Sequence, residues 1–176
     1  KPSVRVLGGV GALQVLHKAI VHERTEAPRH YPDDDLVQAC EVAAWIPEVP
    51  AYGVRCFPHQ LRTKHSTPPN PARVESGAIT NGLITLRVND EGRVAVTHIP
   101  SGREIGNLLA WESRVDRGDL YTPSLREPKL LVRFRGAKVI HKGPVRAAID
   151  TQWSLTAGRE RVDARVSLVV DANAPW

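Results

Sequence analysis

The sequence predicts an all-β fold, with a small β-domain followed by part of an antiparallel β-sandwich. Three observations predict it. Apolar and polar side chains alternate over residues 145–155 and again over 162–170, and a period of two is the mark of a strand with one buried and one solvated side. Turn-forming stretches, among them Asn89-Asp90-Glu91-Gly92, Ser101-Gly102 and Ala157-Gly158, break the chain between the apolar runs. No stretch offers a convincing helical repeat: read as helix, the apolar residues of the terminal ribbon would spiral around its whole surface.

In chain order, a first block ends near Leu61. It opens with a short strand at 4–7, a hairpin turn at Gly8-Gly9-Val10-Gly11, and a strand over 13–22 whose Leu13, Val15, Ala19 and Val21 share one face. The glycine turn faintly resembles a phosphate-cradling loop, but a strand follows it, so no helix N-terminus is available to hold an anion. A loop with Pro28, Pro32 and Asp33-Asp34-Asp35 leads to strands at about 37–46 and 52–58. Pro68, Pro69 and Pro71 then mark a connector over 62–73, since proline fixes φ and removes a ladder donor. The expected division is therefore 1–61, 62–73 and 74–176.

The second block starts with a hairpin. Ile84, Leu86 and Val88 alternate with Leu83, Thr85 and Arg87; the turn at 89–92 follows, and Val94 and Val96 return the chain. Beyond Ser101-Gly102 a long strand is expected, ending in Asp116-Arg117-Gly118-Asp119-Leu120-Tyr121. That cluster is a poor strand and a good loop, able to present polar groups to a ligand. In the last ribbon, Val145, Ala147, Ile149, Thr151, Trp153 and Leu155 share one face with Val162, Ala164, Val166, Leu168 and Val170 of the return strand. Arg146, Asp150, Gln152 and Ser154 point the other way. Each apolar side chain on the inner face is worth roughly 1.5–3 kcal/mol if fully buried, so that face needs a cover, by default a second sheet about 10 Å away. Either the strands of this chain close a small sandwich, or an apolar face is left for a partner segment.

Composition narrows the function classes. With 41% apolar and 24% charged residues the chain is an ordinary globular one. The net charge of +5 invites a nucleic-acid reading. Its cations are interleaved with acids, as in Arg159-Glu160-Arg161, and aromatics are too scarce for a stacking platform. No nucleic-acid partner is expected. No apolar run approaches the roughly 18–20 residues of a membrane helix, and the amino end, Lys1-Pro2-Ser3-Val4, lacks the apolar core of a signal peptide. It reads as the start of a strand, as in a chain cut from something longer. Cys40 and Cys56 are the two cysteines. They are too few for a disulfide scaffold, and the expectation is free thiols in a reducing cytoplasm.

Candidate chemistry is sparse. None of the seven histidines, His17, His22, His30, His59, His65, His98 and His141, shows metal-ligand spacing. Asp116 and Asp119 are the only acids placed like a glycosidase pair; the plain alternative is that they cap backbone amides around Gly118. Trp111 and Trp153 read as core. Trp45, beside Ile46 and Pro47, is the one tryptophan that suggests a sugar platform.

Taken in order, Asn81-Gly82, the Asp90-x-Gly92 turn, Ser101-Gly102-Arg103, the 116–121 cluster and Gly143-Pro144-Val145-Arg146 resemble the β-region of glycoside hydrolase family 38, the α-mannosidases. Upstream, Val49-Pro50-Ala51-Tyr52-Gly53-Val54 is similar to the close of that family's preceding small β-domain, with Tyr and Gly exchanged. The resemblance spans roughly residues 36–171. It implies part of a galactose-mutarotase-like supersandwich that buttresses a catalytic barrel. In the family the zinc ion and the aspartate nucleophile come from that barrel, and neither motif finds a match here. No cofactor is expected in this chain, and zinc is expected in the catalytic domain. By motif, the family's sugar-contacting tyrosine falls on Tyr121, with Asp119 as its support and Asp116 beside them. As plain structure Tyr121 would be a half-buried aromatic. The implied partners are the catalytic domain and an α-mannoside. The alternatives are a free-standing carbohydrate-binding module and an interaction domain, the latter compatible with a homo-oligomer.

Overall fold

The computed structural model describes residues 11–26, 31, 33–47, 49–54 and 66–175, and the described part is built almost entirely from strands. The chain falls into two compact units that divide between Pro69 and Asn70. No helix among the described residues is long and apolar enough to cross a membrane.

In the first unit, β1 (Ala12–Thr25) and β2 (Asp33–Trp45) form a long antiparallel ribbon. Its ladder runs from Ala12 opposite Trp45 to Thr25 opposite Asp33, with one slip between Val15 and His17. That bulge changes which side chains share a face. Leu13 and Val15 stand opposite Ala44 and Val42, whereas Ala19 and Val21 stand opposite Ala39 and Val37, on the other side. The single face read from strict alternation is therefore two half-faces, because an inserted residue resets the period. The three consecutive aspartates, read as loop, begin β2 instead. Tyr52 occupies a turn at φ 56 rather than a strand. The strand expected at 4–7 and the later part of that expected at 52–58 lie outside the described residues. Cys40 carries a free thiol, and Cys56 also lies outside them.

The second unit holds two meandering antiparallel sheets and a short hairpin. One sheet is β3 (Arg73–Glu75), β4 (Ala78–Thr80), β5 (Ile84–Val88), β6 (Val94–His98) and β7 (Arg103–Ile105), in that order. Between the sheets the chain makes the hairpin β8 (Val115–Asp116) and β9 (Leu125–Arg126). The other sheet is β10 (Leu130–Lys142), β11 (Arg146–Ala157) and β12 (Glu160–Asp171). Arg73, assigned by its prolines to the connector, opens β3. The long strand expected after Ser101-Gly102 shrinks to the three residues of β7.

The β5–β6 register agrees with the alternation, Ile84 facing His98 and Leu86 facing Val96. Asn89 builds the turn: its Oδ1 accepts the amides of Glu91 at 3.0 Å and Arg93 at 2.8 Å. Gly92 has φ 82 and lies so close to the rings of Trp153 and Phe134 that a Cβ there would collide with both. The turn is thus wedged against the second sheet. Ile79, Ile84, Leu86 and Val94 from one sheet and Ala147, Ile149 and Val170 from the other form one buried cluster. The two sheets of this unit pack against each other around that cluster.

Cover is complete at one end only. Trp153 is buried, while Val162, expected on the inner face, is 60% exposed. The alternation of β11 and β12 is otherwise as read, except that Ser154, expected to face water, is 3% exposed and Ala148 on the same face is fully buried. β10 escaped the sequence reading. Its register slips between Phe134 and Gly136 and again between Val139 and His141, and two bulges erase the period of two by which a strand is recognised.

Candidate functional site

The hairpin that holds the predicted cluster is shaped by its own acids. Val115 pairs with Arg126 and Asp116 with Leu125, and the Arg117 amide donates to the Ser124 carbonyl at 3.0 Å. Asp116 Oδ1 accepts the amides of Gly118 at 2.8 Å and Ser124 at 2.9 Å, bridging the loop from one side to the other. Asp119 Oδ1 accepts the amides of Tyr121 at 2.9 Å and Thr122 at 2.7 Å. Gly118 leaves no room for a side chain, since a Cβ would collide with the Thr122 carbonyl. Below the loop, Arg114 reaches Glu112 at 3.1 Å and Glu127 at 3.8 Å.

These bonds decide the chemistry of both carboxyls. The Gly118 amide, then that of Ser124, holds Asp116 below its ordinary carboxylate range. The Tyr121 amide, then that of Thr122, does the same for Asp119. A glycosidase acid must keep its proton near neutral pH. Asp116 and Asp119 are shifted the opposite way and act as acceptors of backbone amides. The paired-acid reading is set aside, and the capping reading matches the geometry.

Tyr121 is not the half-buried aromatic of the plain reading. It is 89% exposed and Leu120 beside it 91%. Among the described residues the Tyr121 hydroxyl makes no hydrogen bond. Asp119 holds Tyr121 through its backbone amide and leaves its side chain exposed. The geometry brings Asp116, Asp119 and Tyr121 into one small loop.

The tryptophans divide differently. Trp153 is core, its Nε1 donating to Thr151 Oγ1 at 3.0 Å, and Phe134 and Trp111 pack on it at ring distances of 4.9 and 5.9 Å. Trp45 is half-buried, with the Gly11 backbone pressed against its ring, which takes away one stacking face. Among the described residues no group of three or more His, Cys, Asp or Glu is placed to hold a metal ion. His98 Nδ1 shares a 2.7 Å hydrogen bond with Ser101 Oγ, and His22 lies 3.5 Å from Asp34.

Two motifs of the resemblance prove to be structural fasteners. Asn81 is fully buried, donating from Nδ2 to the Asp171 and Ala174 carbonyls and accepting at Oδ1 from the Leu83 and Ile84 amides. Arg146 forks onto Asp171 with bonds of 2.7 and 2.8 Å. Nothing in a lone Asn-Gly pair distinguishes such a clamp from a turn; only the far ends of its bonds reveal it.

No protein-family model matches this chain, and no curated protein matches it in sequence. Among solved structures, the crystal structure of an alpha-mannosidase from Enterococcus faecalis V583 is similar over 93% of this chain, with a TM-score of 0.59 and 8% identity. The match takes in 22% of that enzyme's chain, so this chain spans about a fifth of its length. At that identity the likeness is one of fold. The chain's fold is similar to that of part of this alpha-mannosidase.

Proposed function

We propose that this chain is a non-catalytic β-region of an α-mannosidase-type glycosidase, of the kind found in glycoside hydrolase family 38. The observation that carries the reading is the fold likeness to an alpha-mannosidase over 93% of the chain. The region's work is to buttress a catalytic barrel and to hold the 116–121 hairpin against the sugar, with Tyr121 offering its hydroxyl and ring face. The described residues do not assemble a zinc site, and no catalytic step is assigned to them. A sugar stacks its C–H face on an exposed aromatic ring and turns its hydroxyls to a hydrogen-bonding group, and the hairpin offers both at Tyr121. The test is a zinc-supplemented assay on an aryl α-mannoside. The purified chain is expected to give no turnover, and clear turnover would overturn the reading. A free-standing sugar-binding module is the alternative, and millimolar or tighter binding of mannosides through Trp45 would favour it.

A further inference from the structure

The outer face of the three-stranded sheet carries a second polar constellation, made of residues other than those of the hairpin. Across its strands Arg133, Ser154 and Asp163 form one row, and Gly136, Gln152 and Arg165 the next. Arg135 is the extra residue at the slip between Phe134 and Gly136. A bulge of this sort re-aims a side chain, and Arg135 joins Gln152, Arg161 and Arg165 in lining a cleft of about 290 Å³. Asp163 is the one carboxylate among the lining residues.

Three guanidiniums thus face one acid, and that acid is already engaged. Asp163 Oδ1 accepts Arg161 Nη2 at 3.2 Å. The Ser154 hydroxyl, then Arg161, holds its carboxyl below the ordinary range. Arg165 comes no nearer than 3.8 Å to Asp150, whose own Oδ1 is taken by the Ser167 hydroxyl at 2.6 Å. Arg135 forms no ion pair among the described residues. Elsewhere cations are met locally, as in Arg24 with Glu26, Arg73 with Glu75 and Arg93 with Glu91. The cleft differs in concentrating positive charge in a concavity over a central strand.

We propose that this cleft binds a compact polyanionic group, a phosphate or sulfate ester on a small ligand. Guanidinium forks suit tetrahedral oxyanions, which accept two parallel N–H bonds per arginine. The Gln152 amide in the lining adds a neutral donor. A cleft of about 290 Å³ lies at the small end of ordinary ligand pockets, enough for an anionic group and the ring that bears it. The site is independent of the hairpin.

Calorimetric titration of the whole chain with inorganic pyrophosphate, phosphate and sulfate at constant ionic strength tests it. Saturable one-to-one binding of pyrophosphate is expected, and the preference between phosphate and sulfate identifies the ester. R135Q and R165Q each weaken binding about tenfold. R103Q, which removes the same charge from β7, leaves it unchanged. Melting curves of each variant separate loss of the site from loss of the fold. Absence of saturable binding, or an equal loss in all three variants, overturns the proposal, since net charge rather than the cleft would then hold the anion.

Discussion

Asn81 and the 116–121 hairpin use the same bond to opposite ends. In each, a side-chain oxygen accepts two backbone amides close by in sequence. Asn81 is buried, and its amide group also reaches carbonyls some ninety residues away, at Asp171 and Ala174. Asp116 and Asp119 accept amides no more than eight residues away, in open solvent. Bonds that span the chain hold a fold together. Bonds that stay local shape a loop and leave its tip, Leu120 and Tyr121, free. The Asn81 bonds fasten the fold, whereas the hairpin bonds set the shape of an exposed loop.

Breaking the first region should be costly. Asn81→Ala leaves two amides and the Ala174 carbonyl in want of partners, and a loss of about 3 kcal/mol is expected in urea unfolding, at roughly 1–3 kcal/mol per unsatisfied buried group with partial relaxation. Gly92→Ala forces a side chain into Trp153 and Phe134 at a positive φ; about 2–3 kcal/mol is expected from overpacking and backbone strain, read in the same assay. Arg146→Gln removes the fork to Asp171, whose side chains are about two-fifths exposed. Solvent screening reduces the expected cost to about 1 kcal/mol.

Breaking the second region should barely register in stability. Gly118→Ala is expected to shift global unfolding by under about 0.5 kcal/mol, the usual range for a surface site. It should nonetheless abolish hydrogen-exchange protection at the Tyr121 and Thr122 amides, because the loop cannot close around a Cβ. The smallest effect is that of pH. Both hairpin carboxyls titrate below their ordinary value, so their contribution is complete above about pH 4. It is lost as pH falls through the lowered values. Amide protection in the hairpin is therefore expected to be flat from roughly pH 5 to 8 and to fall in acid. Loss of protection on raising the pH instead would contradict the assignment.

Much of the larger architecture was legible because strands with one wet face alternate. The β5–β6 hairpin and the β11–β12 ribbon follow from Ile84, Leu86 and Val88 and from the run Val145 to Leu155. Where a residue is inserted, the pattern misleads. The slip at Val15 moves Ala19 and Val21 to the opposite face, and the two slips in β10 hide a whole strand. The aspartates at the head of β2 were illegible for another reason: Asp34 and Asp35 stand in an exposed ribbon, where acids are tolerated. At the hairpin, sequence placed Asp116, Asp119 and Tyr121 in one loop, as the structure has them, but could not tell whether the tyrosine was covered. Nor could it show that Arg135 is turned toward Arg161 and Arg165, since the bulge responsible has no sequence signature here.

In the proposed function the hairpin meets the sugar, and the Asn81 corner only holds the fold. Amide-resolved NMR titration with methyl α-mannoside reads both regions at once. Saturable shifts confined to residues 117–124, abolished by Tyr121→Ala and absent at residues 81–84, are the predicted result. Shifts centred elsewhere, or none at any accessible concentration, would contradict it.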